Sequence, residues 1–449
     1  MDRPRPGGHG ELVGAFRSPL TEIESAVQER AKELRLDPGT AEGTVELERL
    51  IDQTAAQWNL DYQRGLRDVE LADPDGVVTR VKRSLLGYGP LEELLVDDDV
   101  WEIMVNAPDA IFVKRHGGMS GYHGEVFHDD DHVRRILTKI LDDASTSHRT
   151  LDPKDGLQDA QLVGGSRLHI VHGDLSKGGH LMFNIRKFTG VAYRTLDELC
   201  DVGTLTEPLA RFLRAAIEAR LSIVFAGAPG SGKTTLLSCC AAELNPALRV
   251  VTAEEVFEAD IPVPNVASMQ TRPARSERNE VTLRHLVAGF LRMAPDVAIV
   301  GEVRDREALP LLLTLSSGVT GYTTIHAGSA RQALTRLRFV CQLADTANEL
   351  PMSALNALVA EAIDLVVHLE RTPDGIEVTS VLAIEDQAGG PEAVQFTATE
   401  LFVRSRSGTS ANWTGHHPVR AAAKLCAAGL EPSDILGDAR VAAALDGAA

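Results

Sequence analysis

The sequence predicts an α/β protein, with a parallel sheet and flanking helices over 195–390. An α+β domain at 80–190 and a helical module at 11–75 are expected ahead of it. Three observations carry this. Short apolar runs at Leu221–Ala226, Val250–Thr252 and Val297–Val300 alternate with helical patterns, the rhythm of a parallel sheet. A Gly-rich loop follows the first of these runs and opens directly into a helical stretch. Before residue 80, apolar positions such as Ile23, Val27, Leu34, Val45, Leu47, Leu50 and Ile51 recur at spacings of three and four among many charges.

Length and composition agree with several domains. At about 150 residues per domain, 449 residues suggest roughly three. Hydrophobic residues make up 44% and charged residues 24%, ordinary globular chemistry. The net charge of −19 and pI near 5.2 oppose a general nucleic-acid coat, which needs a dominant basic face. The cysteines at 200, 239, 240, 341 and 426 form no CxxC pair and no metal-ligand spacing, so no structural zinc is expected and a reducing compartment is. No apolar run approaches a membrane span, and the first residues lack the apolar core of a signal peptide. A soluble, cytoplasmic protein is expected.

In chain order, residues 1–10 are Pro/Gly/Arg-rich and read as disordered. The turn-rich Ala72-Asp73-Pro74-Asp75-Gly76 reads as a linker after the helical module. The α+β domain is expected to hold strands at Glu102–Val105, Ile111–Lys114, Arg167–Val171 and Leu181–Phe188, with a helix at His132–Ala144. Its acidic run Asp97-Asp98-Asp99 reads as a solvated turn, because three adjacent carboxylates cannot all face one ion. In the α/β domain, Lys233–Leu244 and Val281–Met293 are expected helices, the latter with Leu283, Leu286, Val287 and Phe290 on one face. Residues 391–449 read as a C-terminal appendage or tail.

The chemistry centres on Gly227-Ala228-Pro229-Gly230-Ser231-Gly232-Lys233-Thr234, which matches G-x-x-x-x-G-K-[ST] in full, with Thr235 next to it. Glycines let backbone N–H groups curl around a phosphate, and the following helix dipole adds attraction. Lys233 supplies a point charge to the terminal phosphates and Thr234 a hydroxyl for Mg²⁺. ATP with Mg²⁺ is therefore the expected cofactor.

Three further segments end in polar residues beside this loop. Asp296–Glu302 is an apolar strand closing on Glu302, a candidate Mg²⁺ or water ligand that also lies two residues from Arg304. Glu254, Glu255 and Glu258 follow the Arg249–Thr252 strand, readable as a general-base cluster or as a helix's first turn. His326 closes Gly321–Ala327, as a γ-phosphate contact or as a core histidine. Arginines at 272, 275, 278, 284 and 292 read as a phosphate-facing groove or as a solvated face.

These segments together resemble the secretion ATPase superfamily of type II and type IV secretion, including its GspE-like members. Within it the chain is most similar to the CpaF-like ATPases of Flp/Tad pilus assembly. The resemblance rests on Leu86–Glu92, Trp101–Asn106, Gly164–Leu168, Asn184–Phe188, the phosphate loop, Thr252–Glu255, Arg292–Arg304 and Thr323–Ala327. It implies a hexameric ring of RecA-like domains, each preceded by a PAS-like domain, that hydrolyses ATP at the inner face of the cytoplasmic membrane. The expected partners are further copies of the chain and inner-membrane platform proteins, with no nucleic acid. By position, Glu302 would be the Walker B acid and a metal ligand beside Thr234. Glu254 and Glu258 would be the acidic-box carboxylates and His326 the His-box residue. Arg167 and Arg186 would be the N-terminal-domain arginines, and Arg272 would follow the acidic box. The chain departs from the family at Glu255, at Gln161 where relatives carry arginine, and at Val319-Thr320. Two other readings fit the same core: a nucleic-acid-dependent RecA-like motor, and a weakly hydrolysing regulatory protein.

Overall fold

A computed structural model describes residues 18–437 apart from 38–39, 117, 145–150, 153, 155, 163–164, 188–192, 273–278, 344–349, 374, 386–396 and 405–410. The expected disordered stretch 1–10, and Gly164, Phe188, Arg275 and Arg278 among the motif residues, lie outside the described residues. The chain divides into two compact units, Met1–Thr189 and Gly190–Ala449.

The first unit begins with helices Pro19–Glu33, Ala41–Gln63 and Pro74–Leu86, capped by the side chains of Ser18, Thr40 and Asp73. Their apolar stripes meet around Ile23, Val27, Leu47, Ile51, Trp58 and Val81. The stretch 72–76 is therefore no linker. Asp73 Oδ1 accepts the Gly76 N–H and Pro74 fills the first turn, so turn-forming residues here start a third helix. Strands β1 (Val100–Ala107), β2 (Ala110–Arg115), β3 (Gly121–Tyr122), β4 (Leu157–Gln161), β5 (Arg167–Val171) and β6 (Met182–Arg186) pair antiparallel in the order β3-β2-β1-β6-β5-β4. Helix Asp130–Asp143 covers one face, packing Val133, Ile136, Leu137 and Ile140 on Ile103, Val105, Leu168, Phe183 and Ile185. The acidic run 97–99 is a turn pinned to β2, because Arg115 bonds both Asp97 and Asp99.

The second unit carries β7 (Ile223–Gly227), β8 (Val250–Glu254), β9 (Val266–Gln270), β10 (Val297–Val300), β11 (Thr320–His326), β12 (Leu365–Thr372), β13 (Gly375–Ile384), β14 (Ala398–Arg404) and β15 (Ala411–Trp413) in one sheet. Its order is β15-β14-β13-β12-β7-β11-β10-β8-β9, with β12 through β9 parallel and the β13–β15 edge antiparallel. The central strands are buried almost throughout because both faces are covered. In β7, Ile223 and Phe225 join the core under helices Glu207–Glu218 and Lys233–Ala242. Val224 and Ala226 join the opposite core, under helices Ala308–Ser316, Ala330–Leu343 and Met352–Ala362.

Two expectations are corrected here. The stretch Val281–Met293 is a short helix, Leu283–Ala288, followed by a 3₁₀ turn at Phe290–Met293, broken where Gly289 intervenes. The sheet also runs past 390 through β14 and β15, so residues 398–437 belong to this unit and are not an appendage. Helix Arg420–Ala427 is tied in by Arg420 and Lys424, which donate to the buried Asp364 carboxylate at 2.9 and 2.7 Å.

Candidate functional site

The loop from Gly227 to Gly232 leaves the C-terminal end of β7, where open α/β sheets bind ligands, and helix Lys233–Ala242 starts at its far side. Gly232 caps that helix with φ of 83°, a left-handed conformation costly for any other residue, and Gly230 is also left-handed at 73°. Gly227 is required by close approach. A Cβ there would lie 2.4 Å from the Leu369 carbonyl oxygen. Thr234 and Thr235 occupy the first turn of the helix, half-buried.

Lys233 is buried at 6% exposure, with its ammonium donating to Ala228 O at 2.8 Å and to His326 Nδ1 at 3.2 Å. His326 Nδ1 also lies 3.3 Å from Gly227 O, and its Nε2 lies 2.8 Å from Glu302 Oε1. Glu302 Oε2 accepts from Arg304 at 2.6 Å, and Arg304 also donates to Glu255 at 2.9 Å. One row of polar contacts therefore links Lys233, His326, Glu302, Arg304 and Glu255. Residues from β7, β8, β10 and β11 meet at the same end of the sheet because parallel pairing aligns those strand ends.

The row fixes the protonation state of its central acid. Burial alone would raise the Glu302 carboxyl, but hydrogen bonds from His326 and Arg304 outweigh it and lower the value to about 2. Glu302 is a carboxylate at any working pH. Such a group suits cation binding or water orientation more than donation of a proton. Arg304 is held charged by the hydrogen bond to Glu302 and the charges of Glu255 and Glu258, against its desolvation.

The acidic box divides. Glu254 is almost wholly buried at the end of β8, and its Oε1 accepts the N–H groups of Glu258 and Ala259 at 3.1 and 3.0 Å. Gly301 lies so near that a Cβ on it would meet Glu254 Cγ at 2.9 Å. Glu254 thus shapes the turn after β8, while Glu255 enters the contact row through Arg304. Glu258 is half-buried, near enough for its charge to act on Arg304. Arg272 bridges to Val281 and donates to Asn279 O at 3.2 Å. Arg167 and Arg186 belong to the first unit, opposite each other on β5 and β6, with Glu102 of β1 facing Arg186.

The loop fits an anion on its own chemistry. Ser231 Oγ, and Thr252 Oγ1 on the neighbouring strand β8, are buried with no hydrogen-bond partner among the described residues. The one cation in the loop is meanwhile spent on a backbone carbonyl and an imidazole. Thr234 and Glu302 offer oxygen donors of the kind Mg²⁺ takes. Sequence reasoning missed Arg371, whose Nε donates to Gly230 O at 3.1 Å from 141 residues away. No local pattern signals such a contact. It exists because β12 is the parallel neighbour of β7.

The model of the type II/IV secretion system protein family matches residues 84–374. The type IV secretion system protein PtlH of Bordetella pertussis is 33% identical over 303 residues, 63% of this chain and 88% of PtlH. The conjugal transfer protein TrbB of Rhizobium radiobacter is 32% identical over 310 residues, 65% of this chain and 85% of TrbB. Among solved structures, the VirB11 ATPase of the Brucella suis type IV secretion system is 28% identical, with a TM-score of 0.36 over 65% of this chain and 91% of that one. The Legionella pneumophila ATPase DotB gives 18% and 0.47 over 66% and 82%.

Proposed function

The chain belongs to the type II/IV secretion system protein family, and from that premise we propose that it is an ATP-hydrolysing motor of a secretion, conjugation or pilus-assembly machine. The observation that carries this reading is the contact row from Lys233 through His326 to Glu302. It joins the phosphate loop, the His-box strand and the acid after β10 at one end of one sheet. Lys233 and the loop N–H groups hold the phosphates, and Thr234 and Glu302 hold Mg²⁺. The ion supplies charge neutralisation on the phosphates when bound. Glu302, kept ionised, orients the attacking water, with Glu258 the further acid beside it. His326 touches both Lys233 and Glu302, so a γ-phosphate that draws Lys233 away also breaks its bond to His326.

The reading extends to a homohexameric ring of RecA-like domains with PAS-like domains ahead of them. Arg167, Arg186 and Arg272 would contribute positive charge at or across subunit sites. Work at the cytoplasmic face on membrane platform proteins follows from the same reading. No helix among the described residues is long and apolar enough to cross a membrane, which suits a peripheral motor. Flp/Tad pilus assembly is the specific system proposed. The relatives PtlH and TrbB carry the names of type IV secretion and conjugal transfer proteins.

The test is steady-state ATP hydrolysis against protein concentration, for the wild type and Lys233→Ala. A rate per subunit that rises with concentration and vanishes in the variant is expected. A rate unchanged by concentration would contradict sites completed between subunits, and no hydrolysis under any condition would contradict the motor.

A further inference from the structure

The β12–β13 hairpin lies against the phosphate loop at three successive points. Leu369 pairs with Gly227, its carbonyl oxygen filling the space a Cβ would need. Arg371 Nε donates to Gly230 O at 3.1 Å. Ile376 lies where a Cβ on Gly232 would come within 3.0 Å of its Cγ2. Two of the loop's glycines therefore answer to the hairpin as well as to an anion. The bond occupies the Gly230 carbonyl, an acceptor that would otherwise oppose an anion at the loop.

Arg371 does more than hold that carbonyl. A guanidinium has five N–H donors, and Gly230 O is its only partner among the described residues. The side chain is exposed, at the rim of a loop built for phosphate. Lys233, the cation of the loop itself, is buried. A planar, permanently charged fork is well matched to phosphate oxygens.

We propose that Arg371 is a nucleotide-binding residue, bridging the Gly230 carbonyl to the phosphates of a bound nucleoside di- or triphosphate. This rests on the nucleotide-binding reading above and assigns the hairpin as the outer wall of that site. The test is equilibrium binding of Mg·ATP and of ADP to the full chain at two salt concentrations. The wild type is compared with Lys233→Ala, Arg371→Gln, Arg371→Lys and Arg371→Ala, with thermal melting of each without nucleotide. The Gln variant discriminates, because its amide nitrogen replaces Arg Nε and keeps a donor for Gly230 while removing the charge. Arg371→Gln and Arg371→Ala are expected to weaken both nucleotides about tenfold or more, with a shallower salt dependence. Arg371→Lys is expected to recover part of the loss. Wild-type affinity in Arg371→Gln would overturn the proposal, whether or not Arg371→Ala is weak, because it would leave only a loop-holding role. Failure of the wild type itself to bind would overturn the nucleotide-binding reading and this inference together. Loss in Lys233→Ala alone would sink only the inference.

Discussion

The two units each contain a cluster of Glu, His and Arg, yet one is closed and the other open. In the first unit, Glu24 from helix Pro19–Glu33 accepts from Ser84 at 2.8 Å, His128 at 2.7 Å and Arg135 at 2.5 Å. Ser84 in turn bonds His132 at 3.0 Å. Glu24, His128 and His132 bring three ligand atoms within 4.8 Å of one another, a spacing that suits a cation. Arg135 already supplies the positive charge, so the cluster completes itself and works as a tie between the opening helices and the α+β core. In the second unit, the row from Lys233 to Glu255 ends in a glycine-lined loop, with its lysine on a backbone carbonyl and Ser231 and Thr252 hydroxyls unfilled. Similar residue types make a structural tie where the central carboxylate is surrounded by donors, and a candidate site where buried hydroxyls are left without partners.

Substitutions should separate the two clusters by what they change. Lys233→Ala is expected to weaken ATP binding by about 100-fold or more while the chain stays folded, since it removes the charged donor to the phosphates. Calorimetric titration beside a melting curve checks both halves. Glu302→Gln should keep ATP affinity yet lose roughly 10²-fold in turnover. Equal loss of affinity in the two variants would erase the division of roles between them.

The closed cluster should respond in stability instead. Glu24→Gln removes a carboxylate that accepts hydrogen bonds from Gln28, Ser84, His128 and Arg135, two of them imidazole or cationic donors. It is expected to cost about 2 kcal/mol in denaturant unfolding and to leave ATP affinity unchanged. A changed affinity would break the separation between the clusters.

A further effect in the closed cluster is set by pH. Burial lowers His132 to about 4, against the attraction of Glu24 and with help from Arg135 and His128. A histidine depressed in the folded state binds its proton more readily when unfolded, so folding stability falls as pH drops. The loss begins near the ordinary value of 6.5, is complete near 4, and amounts to at most about 3 kcal/mol. His132→Gln, which keeps a donor for Ser84 without titrating, should flatten that slope in pH-dependent unfolding. An unchanged slope would assign the acid sensitivity elsewhere. Glu302 has the same sign at lower pH: its contribution is present above about 4.5 and lost as pH falls toward 2.

Much of the architecture was legible locally. Val297–Val300 and Arg167–Val171 form strands at the limits their apolar runs suggest, because β-branched runs bounded by turns leave few alternatives. The misreadings fall where one local signal has two uses. Asp-Pro-Asp-Gly marks a turn or a helix cap, and Val81 packing against Ile51 and Trp58 decided for the helix. Gly289 sits in an amphipathic pattern that periodicity alone carries through, and the α-helix ends there.

By itself the sequence determined that a phosphate loop follows an apolar strand and that acids and a histidine close neighbouring strands. Each of those facts is written in a few consecutive residues. Only the tertiary structure decided which acid does what. Glu254 is turned onto backbone N–H groups, Glu302 is held ionised between His326 and Arg304, and Arg371 reaches the loop from the next strand. The reason is physical: strand order and register set which strand ends meet, and those pairings join residues far apart in the chain.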